Sequence, residues 1–178
     1  MRRALPTLLV TLFIVWQSGC LFGGKSSYHG VKSYREGRVF LPEHRSYNVG
    51  ELPRGWYEIE TDARAIAFYH DAYRSTMFTD AFCKDAFDDV SHEKLIAKMV
   101  GGLQGLQTIS SKTFQLDERR ALQKHFRGSL DGIEVGVVAV VVKKDQCLFD
   151  FVLVTPPQPE KQVTEDFEHF YQAFHFTR

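Results

Sequence analysis

The densest group of side chains suited to metal binding lies near the middle of the chain. It consists of Asp80, Asp85, Asp88, Asp89, His92 and Glu93. Carboxylates and an imidazole are ligands that divalent cations accept in proteins. The spacing fits neither an EF-hand loop nor the H-E-x-x-H zinc motif, because Ile96 stands four positions after His92. Since acidic residues also stabilise the positive end of a helix, we expect a solvated loop and a helix cap here, with a metal site as the alternative.

The nucleophilic residues of the sequence form no recognisable catalytic pattern. No serine stands in a G-x-S-x-G elbow, and the Gly101-Gly102 pair lacks the G-K-[ST] ending of a phosphate-binding loop. Cys83 and Cys147 do not form a C-x-x-C redox pair. We therefore predict that the protein is not an enzyme and uses no cofactor. A hydrolase built on a spatial Ser-His-Asp set is the alternative.

Cys20 is predicted to be a lipidation site, because the residues before it resemble a bacterial lipoprotein signal. Basic residues begin the chain, residues 5–16 are apolar, and the small pair Ser18-Gly19 directly precedes Cys20. The apolar run is shorter than the roughly 20 residues that a membrane-spanning helix needs. Gln17 departs from the aliphatic residue that usually begins such lipoboxes. An ordinary secretory signal or an uncleaved anchor is therefore the alternative.

The predicted lipidation places the protein in the envelope of a bacterium. Residues 1–19 would be the signal peptide, and acyl chains on Cys20, palmitate among them, would anchor the remainder to a membrane. Several acyl chains bind a membrane stably, whereas one alone binds only marginally. The residue after Cys20 is Leu21 rather than the Asp that retains enteric lipoproteins on the inner membrane. We therefore expect an outer-membrane protein that faces the periplasm.

The other two cysteines are predicted to form a disulfide, Cys83–Cys147. Lipidation of Cys20 leaves an even number of cysteines, and the proposed compartment is oxidising. The bridge would close a long loop and contribute about 4 kcal/mol by chain entropy. That is a large part of the roughly 5–15 kcal/mol by which domains are stable. Two reduced, buried cysteines are the alternative.

Composition limits the classes of partner and the number of domains. The 22 basic and 22 acidic residues balance, and no basic run favours nucleic acid as a partner. A chain of 178 residues with 44% hydrophobic residues and 15 phenylalanines can bury one sizeable core. Residues 20–36 are rich in glycine and serine and only sparsely apolar, and are predicted to be a flexible tether. Residues 37–178 are predicted to be a single domain.

The periodicity of apolar residues predicts strands on both sides of one helix and a second helix at the end. Strands are expected at residues 38–41, 56–59, 64–70, 74–82, 113–117, 121–129, 133–142 and 147–155. Ser91 is expected to cap a helix whose apolar stripe extends to Leu103. A stripe from Val163 to Phe174, with His169 and His175 on the same element, predicts a helix packed on a sheet. This order indicates an α+β fold, with an antiparallel β-sheet flanked by helices.

Asp150 is the one charged residue inside the apolar strand predicted at residues 147–155. It stands between Phe149 and Phe151. We expect it to pair with a neighbouring arginine or lysine, or to lie on an exposed face of the sheet. A buried carboxyl group with a raised pKa and a functional role is the alternative.

Together these features resemble the PsbP/Mog-like superfamily, and within it the small bacterial lipoproteins of that type. The resemblance rests on the Leu-Pro-Arg-Gly-Trp entry at residues 52–56, the hairpin at 64–82, the helix at 91–105, the Asp131-Gly132 turn before 133–142, the strand beginning Cys147-Leu148-Phe149-Asp150, and Phe167, Phe170 and Phe174. It covers about residues 50–176. It implies an antiparallel α+β fold, and an accessory or binding role rather than catalysis.

We therefore expect a lipid-anchored envelope protein that acts as a non-enzymatic interaction or accessory module. Its partners would be the membrane, through Cys20, and an unidentified envelope protein. A small ligand or a metal bound in a cleft between sheet and helix is the second hypothesis, and a hydrolase is the third. A contiguous exposed apolar patch would favour the first hypothesis. A deep pocket with converging polar groups would favour the others.

Overall fold

The computed structural model describes residues 33–42, 44–61, 65–83 and 90–177. The strands in these ranges are β1 (Ser33–Arg35), β2 (Arg38–Phe40), β3 (Ser46–Asn48), β4 (Trp56–Ile59), β5 (Ile66–His70), β6 (Ser75–Cys83), β7 (Gln104–Leu116), β8 (Arg119–Leu130), β9 (Ile133–Lys144), β10 (Cys147–Thr155) and β11 (His175–Thr177). The helices are α1 (His92–Met99) and α2 (Lys161–Gln172). Neither described helix has the length and apolar character needed to cross a membrane. The predicted signal peptide and Cys20 lie outside the described residues.

The strands form two antiparallel sheets. The large sheet has seven strands in the order β4-β5-β6-β10-β9-β8-β7, and the small sheet has four in the order β1-β2-β3-β11. β10 is the central strand of the large sheet and pairs along its length with β6 and β9. The near-continuous apolar sequences of β9 and β10 suit this position, because both faces of the sheet are covered there. The predicted α+β fold with an antiparallel sheet is confirmed.

One face of the large sheet packs against α2 and the small sheet, and we call the buried residues between them the inner layer. Aromatic side chains dominate this layer: Tyr47, Phe68, Phe149, Phe151, Phe167, Phe170, Tyr171, Phe174 and Phe176 are all buried there. The rings of Phe149 and Phe174 have centroids 4.7 Å apart. Such pairs contribute about 0.5–1.5 kcal/mol beyond the area that they bury. The aromatic stripe of the last helix is therefore part of the core, as its spacing predicts.

The opposite face packs against α1, and its buried residues form the outer layer. The layer comprises Leu95, Ile96, Val100, Leu122, Phe126, Val137, Ala139, Val141, Leu148 and Val152. The Ser91 side chain accepts a hydrogen bond from the Lys94 backbone N–H, so the predicted helix cap is confirmed. The helix ends at Met99, and the predicted extension to Leu103 is wrong. Gly101 and Gly102 follow, and each glycine costs a helix about 1 kcal/mol relative to alanine.

Two further expectations about the second half of the chain are wrong. β7 begins at Gln104 rather than at residue 113, because an exposed edge strand with two bulges shows no buried alternation. The last helix ends at Gln172, so His175 does not lie on it. The next residues form β11, which pairs with β3 and completes the small sheet.

The first described strand, β1, lies inside the segment predicted to be a tether. Tyr34 fixes it to the domain, because its ring packs edge-on against Phe68 with centroids 4.9 Å apart. Strands of three residues, such as β1 and β3, are too short to produce a readable alternation. The domain therefore includes Ser33–Arg35 as well as the residues from 37 onwards.

Candidate functional site

The free end of the β8–β9 hairpin exposes two large apolar side chains. β10 ends at Thr155, opposite Gly136, so the part of β9 before Gly136 extends beyond it. Leu130 and Ile133 are cross-strand partners at the tip and are 44% and 69% exposed. The Asp131-Gly132 turn between them has positive φ at both residues, as a two-residue hairpin turn requires. The turn predicted from this dipeptide is therefore confirmed.

The start of β7 adds two more exposed apolar side chains beside this hairpin. Leu106 and Ile109 are 42% and 51% exposed. The Leu106 backbone lies close to β8, since a Cβ built on Gly128 would be 3.7 Å from the Leu106 Cα atom. We call Leu106, Ile109, Leu130 and Ile133 the apolar end of the sheet. In the described part of the chain, the other large exposed apolar side chains are Phe40 and Tyr57.

The apolar end is continuous with the outer layer. Leu103 and Val135 are partly buried and pack against that layer. A Cβ on Gly128 would be 3.3 Å from the Leu103 Cβ atom, so a larger residue there would press on this connection. The exposed charged residues of the hairpin tip are acidic: Asp131 is in the turn, and Glu134 follows Ile133 on the opposite face of β9. Arg127, three residues before Leu130 on β8, is also exposed. The surface therefore combines apolar side chains with a local negative charge.

β7 is an edge strand of the large sheet. It pairs with β8, and no described strand lies along its other edge. The register shifts between Gln104 and Gln107 and again between Thr108 and Ser110, whereas from Ser110 to Leu116 it is regular. Bulges discourage the addition of another strand. The regular segment leaves backbone groups that an extended partner segment could pair with.

A cleft of about 330 Å³ lies between α2 and the β7–β8 pair. Its charged side chains pair with each other: Lys112 with Glu168 at 3.7 Å, and Lys161 with Glu165. His125 also lines the cleft, and burial, followed by the charge of Arg127, lowers its pKa. Because these charges are already paired within the cleft, its lining gives no reason to select a charged ligand.

The acidic group for which a metal site is the alternative is only partly described. Asp80 lies on β6, His92 and Glu93 begin α1, and the other three aspartates lie outside the described residues. In the described ranges, no three His, Cys, Asp or Glu side chains are placed to share a metal ion. The pKa of Glu93 is lowered by its own backbone N–H and by the Ser91 hydroxyl. Glu93 therefore acts at the start of the helix, as the cap interpretation expects.

The structure joins Cys83 and Cys147 by the predicted disulfide, with a sequence separation of 64. The two residues are register partners at the end of β6 and the start of β10. Both are buried, at 7% and 1% exposure, and both belong to the inner layer. The bridge therefore fixes two central strands of the large sheet to each other.

Asp150 contradicts the expectation of a paired or exposed carboxyl group. It is 6% exposed, and its Oδ1 atom has no hydrogen-bond partner within the described part of the protein. Its cross-strand neighbours are Asp80 on β6 and Val141 on β9. Burial raises its pKa to about 8, and the charge of Asp80 acts in the same direction. The alternative, a buried carboxyl with a raised pKa, is the one that the structure supports.

Asp117 is a partly buried residue whose carboxylate is 8% exposed and which no local sequence pattern singles out. It lies in the β7–β8 turn and accepts hydrogen bonds from Lys144 Nζ at 2.6 Å, His175 Nδ1 at 2.9 Å and the Phe176 backbone N–H at 2.9 Å. Burial opposes its ionisation, but these hydrogen bonds hold its pKa below the usual value. Asp117 therefore connects β11 to the large sheet. Its donors come from distant parts of the sequence, so no local pattern predicts this role.

The apolar end was also not assigned from the sequence, although a signal for it exists. Leu130 and Ile133 flank an Asp-Gly turn, where a solvent-exposed hairpin usually carries polar residues. The exposure of Leu106 and Ile109 depends on β7 being an edge strand, which their own sequence does not show.

Comparisons with known proteins identify the fold. No family model matches the chain, and no curated protein matches it. Among solved structures, cyanobacterial PsbP (CyanoP) from Synechocystis sp. PCC 6803 has a TM-score of 0.54 at 15% identity, covering 90% of this chain and 99% of that chain. LpqN of Mycobacterium tuberculosis, described as involved in cell envelope biogenesis, has a TM-score of 0.55 at 14% identity, covering 77% and 86%.

A Bacteroides thetaiotaomicron structure also matches, with a TM-score of 0.55 at 11% identity, covering 82% of this chain and 50% of that one. At these identities the shared property is the fold. The chain has a PsbP/Mog-like fold, as its resemblance implies.

Proposed function

We propose that this protein is a lipid-anchored component of the bacterial cell envelope whose PsbP-like domain binds another protein and catalyses no reaction. The observation that carries the proposal is the apolar end of the large sheet. Four large apolar side chains are exposed on the β7, β8 and β9 strands that form it, and one of them, Ile133, is 69% exposed. Fully burying such a side chain contributes about 1.5–3 kcal/mol. Contiguous exposed apolar surface of this kind commonly marks an interaction site.

The charge beside the apolar end defines the chemistry of the partner. Asp131 in the turn and Glu134 on the opposite face of β9 are the exposed charged residues nearest to Ile133 in the sequence. Complementary charge favours correct encounter and penalises wrong partners. We therefore commit to a protein partner that presents apolar side chains next to basic ones.

The proposed anchor limits where this partner lies. Lipidation of Cys20 and a tether of residues 20–32 would connect the membrane to β1. Fully extended, such a segment spans at most roughly 45 Å. The predicted signal and Leu21 support a location in the outer membrane facing the periplasm. The envelope role described for LpqN, which has a similar fold, supports the same compartment.

Site-specific photo-crosslinking in living cells tests the proposal. A photoreactive residue would replace Ile133 at the apolar end and, as a matched control, Tyr57 on β4. Tyr57 is 45% exposed and lies in the edge strand at the opposite side of the large sheet. We expect one recurrent protein adduct from position 133 and none of that mass from position 57.

Two further variants test whether the adduct depends on the charge beside the apolar end and on the membrane anchor. Glu134→Lys, combined with the probe at position 133, should weaken the adduct because it reverses the charge beside the apolar end. Cys20→Ala should weaken it because the domain is no longer held at the membrane. Equal adducts from positions 133 and 57, or an adduct unaffected by Glu134→Lys, would contradict the proposal. An adduct with twice the mass of the chain would indicate self-association instead.

A further inference from the structure

Asp150 occupies a position where an ionised carboxylate is poorly accommodated. Along β10 its neighbours on the same face of the sheet are Leu148 and Val152, both in the outer layer. Its partner on β9 is Val141, which is fully buried. The Oδ1 atom accepts no hydrogen bond from any described residue. A buried polar group without a hydrogen bond costs free energy, and a buried charge costs more.

The residue opposite Asp150 on β6 is a second carboxyl group, Asp80. Asp80 is only partly buried, and its Oδ1 atom accepts a hydrogen bond of 2.7 Å from the Ala81 backbone N–H. Directly opposed residues of an antiparallel pair have Cβ atoms about 4.5–5.5 Å apart, and like charges in such positions are destabilising. The ionised state of Asp80 therefore opposes ionisation of Asp150.

The other charged groups around the outer layer are engaged elsewhere. On β9, Lys143 donates a hydrogen bond to the Val90 carbonyl. On α1, Glu93 interacts with Ser91 at the helix start, and His92 lies near Lys143 and Arg120 of β8. The charge that raises the pKa of the Asp150 carboxyl, in addition to burial, is that of Asp80. On the inner side, the Tyr47 hydroxyl is hydrogen bonded to Thr79. Burial raises the pKa of Tyr47, and the charges of Asp80 and Asp150 raise it further.

We propose that the Asp80–Asp150 pair holds one proton in the folded domain at neutral pH, and that losing this proton weakens the contact between β6, β10 and the outer layer. With the proton on Asp150, one neutral and one charged carboxyl face each other between the strands. Without it, two negative charges oppose each other at the edge of an apolar layer. The pair is thus a pH-sensitive device built into the centre of the large sheet.

The direction of the pH effect follows from proton linkage. Asp150 titrates near 3.8 when it is unperturbed and has a pKa of about 8 in the folded protein. Between these values the folded state binds a proton that the unfolded state has released. The folding equilibrium constant therefore falls up to tenfold for each pH unit gained in this window. Below pH 4 and above pH 8 this residue adds no further change.

The test is a comparison of pH profiles of unfolding. The full chain, with its disulfide formed, would be unfolded in urea between pH 5 and pH 9 as wild type, Asp150→Asn and Asp80→Asn. Asp150→Asn keeps the shape of the side chain and removes its charge. We expect the ratio of wild-type to Asp150→Asn folding constants to fall by orders of magnitude up to pH 8 and then become constant. If the ratio of wild-type to Asp150→Asn folding constants did not change between pH 5 and pH 8, the proposal would be overturned.

Asp80→Asn serves as the matched control, since Asp150 stays buried but loses its charged neighbour. Its profile should keep the slope but reach the plateau at a lower pH than the wild type. If Asp150→Asn does not fold, isotope-edited infrared spectroscopy of the wild type gives an independent readout. We expect the carbonyl band of a protonated aspartic acid at pH 6.5, and a band roughly tenfold weaker at pH 9, one unit above the pKa of about 8. No such band at pH 6.5 would equally overturn the proposal.

Discussion

The two layers that cover the large sheet differ in how they satisfy their polar groups. In the inner layer, Trp56 Nε1 donates to Asp166 Oδ2 at 2.8 Å, and the Tyr47 hydroxyl lies 2.9 Å from Thr79 Oγ1. In the outer layer, Asp150 keeps an oxygen without a described partner, and the layer continues into exposed apolar side chains. Natural proteins retain such unsatisfied features mainly where they are used. Under the proposed function, the inner layer therefore holds the fold, and the outer layer is continuous with the proposed interaction surface.

Removing an aromatic ring from the inner layer should produce the largest loss of stability. Phe170 is fully buried, with ring centroids 5.6 Å from Phe68 and 6.3 Å from Phe151. Phe170→Ala should lower the free energy of unfolding by about 3–5 kcal/mol, because it leaves a cavity. The measurement is urea unfolding followed by circular dichroism.

Ile133→Ala is the matched control from the apolar end. Because Ile133 is 69% exposed, its truncation should change the free energy of unfolding by no more than about 0.5 kcal/mol. Similar losses for the two variants would remove the distinction between the layers.

Breaking the disulfide should have the second largest effect. The bond between Cys83 and Cys147 constrains the unfolded chain, and its loss should cost about 2–5 kcal/mol. Either single alanine variant and the double variant should lose comparable amounts, since each removes the same bond. A reductant should destabilise the wild type during the same urea titration but leave the double variant unchanged. Destabilisation of both by the reductant would show that another effect is being measured.

A substitution at Asp117 tests the connection between β11 and the large sheet. Asp117→Asn removes the charge that accepts hydrogen bonds from Lys144 and His175, and should cost about 1–3 kcal/mol at pH 7. Its pKa is held below the unfolded value of 3.8, so its stabilisation is present above that pH and is lost as pH falls through the folded value. The gap between wild type and variant should therefore narrow under strong acid.

His175→Ala is the control for the Asp117 connection between β11 and the large sheet. The His175 side chain is 61% exposed and supplies one of the donors, so its removal should cost less than Asp117→Asn. An equal or greater cost would mean that β11, rather than the carboxylate, provides the stabilisation.

The sequence predicts the elements that bury a regular face. β4 and β10 have the expected boundaries, and the stripe of α2 lies in the inner layer as its spacing indicates. Such elements are readable because burial imposes a period of two or of about 3.6 residues. The start of β7 could not be predicted in this way, because nearly all of its residues are exposed and neither of its two faces is apolar throughout.

The surroundings of Asp150 and Asp117 could not be predicted for a different reason. The environment of each carboxyl depends on strand register and on residues far away in sequence, Asp80 in one case and His175 in the other. Composition and spacing contain no information about register between distant strands. The apolar end could be predicted in part. The sequence shows that Leu130 and Ile133 flank a hairpin turn, but it does not show that the neighbouring strand β7 is an edge strand.

The pairing of β11 with β3 also has a consequence for how an exported chain would fold. The small sheet joins residues 46–48 to residues 175–177, and Asp117 receives its Phe176 hydrogen bond from the same final strand. Contacts between such distant segments form slowly, because a long loop must close first. For the proposed lipoprotein, the small sheet could therefore be completed only after residues 175–177 had crossed the membrane.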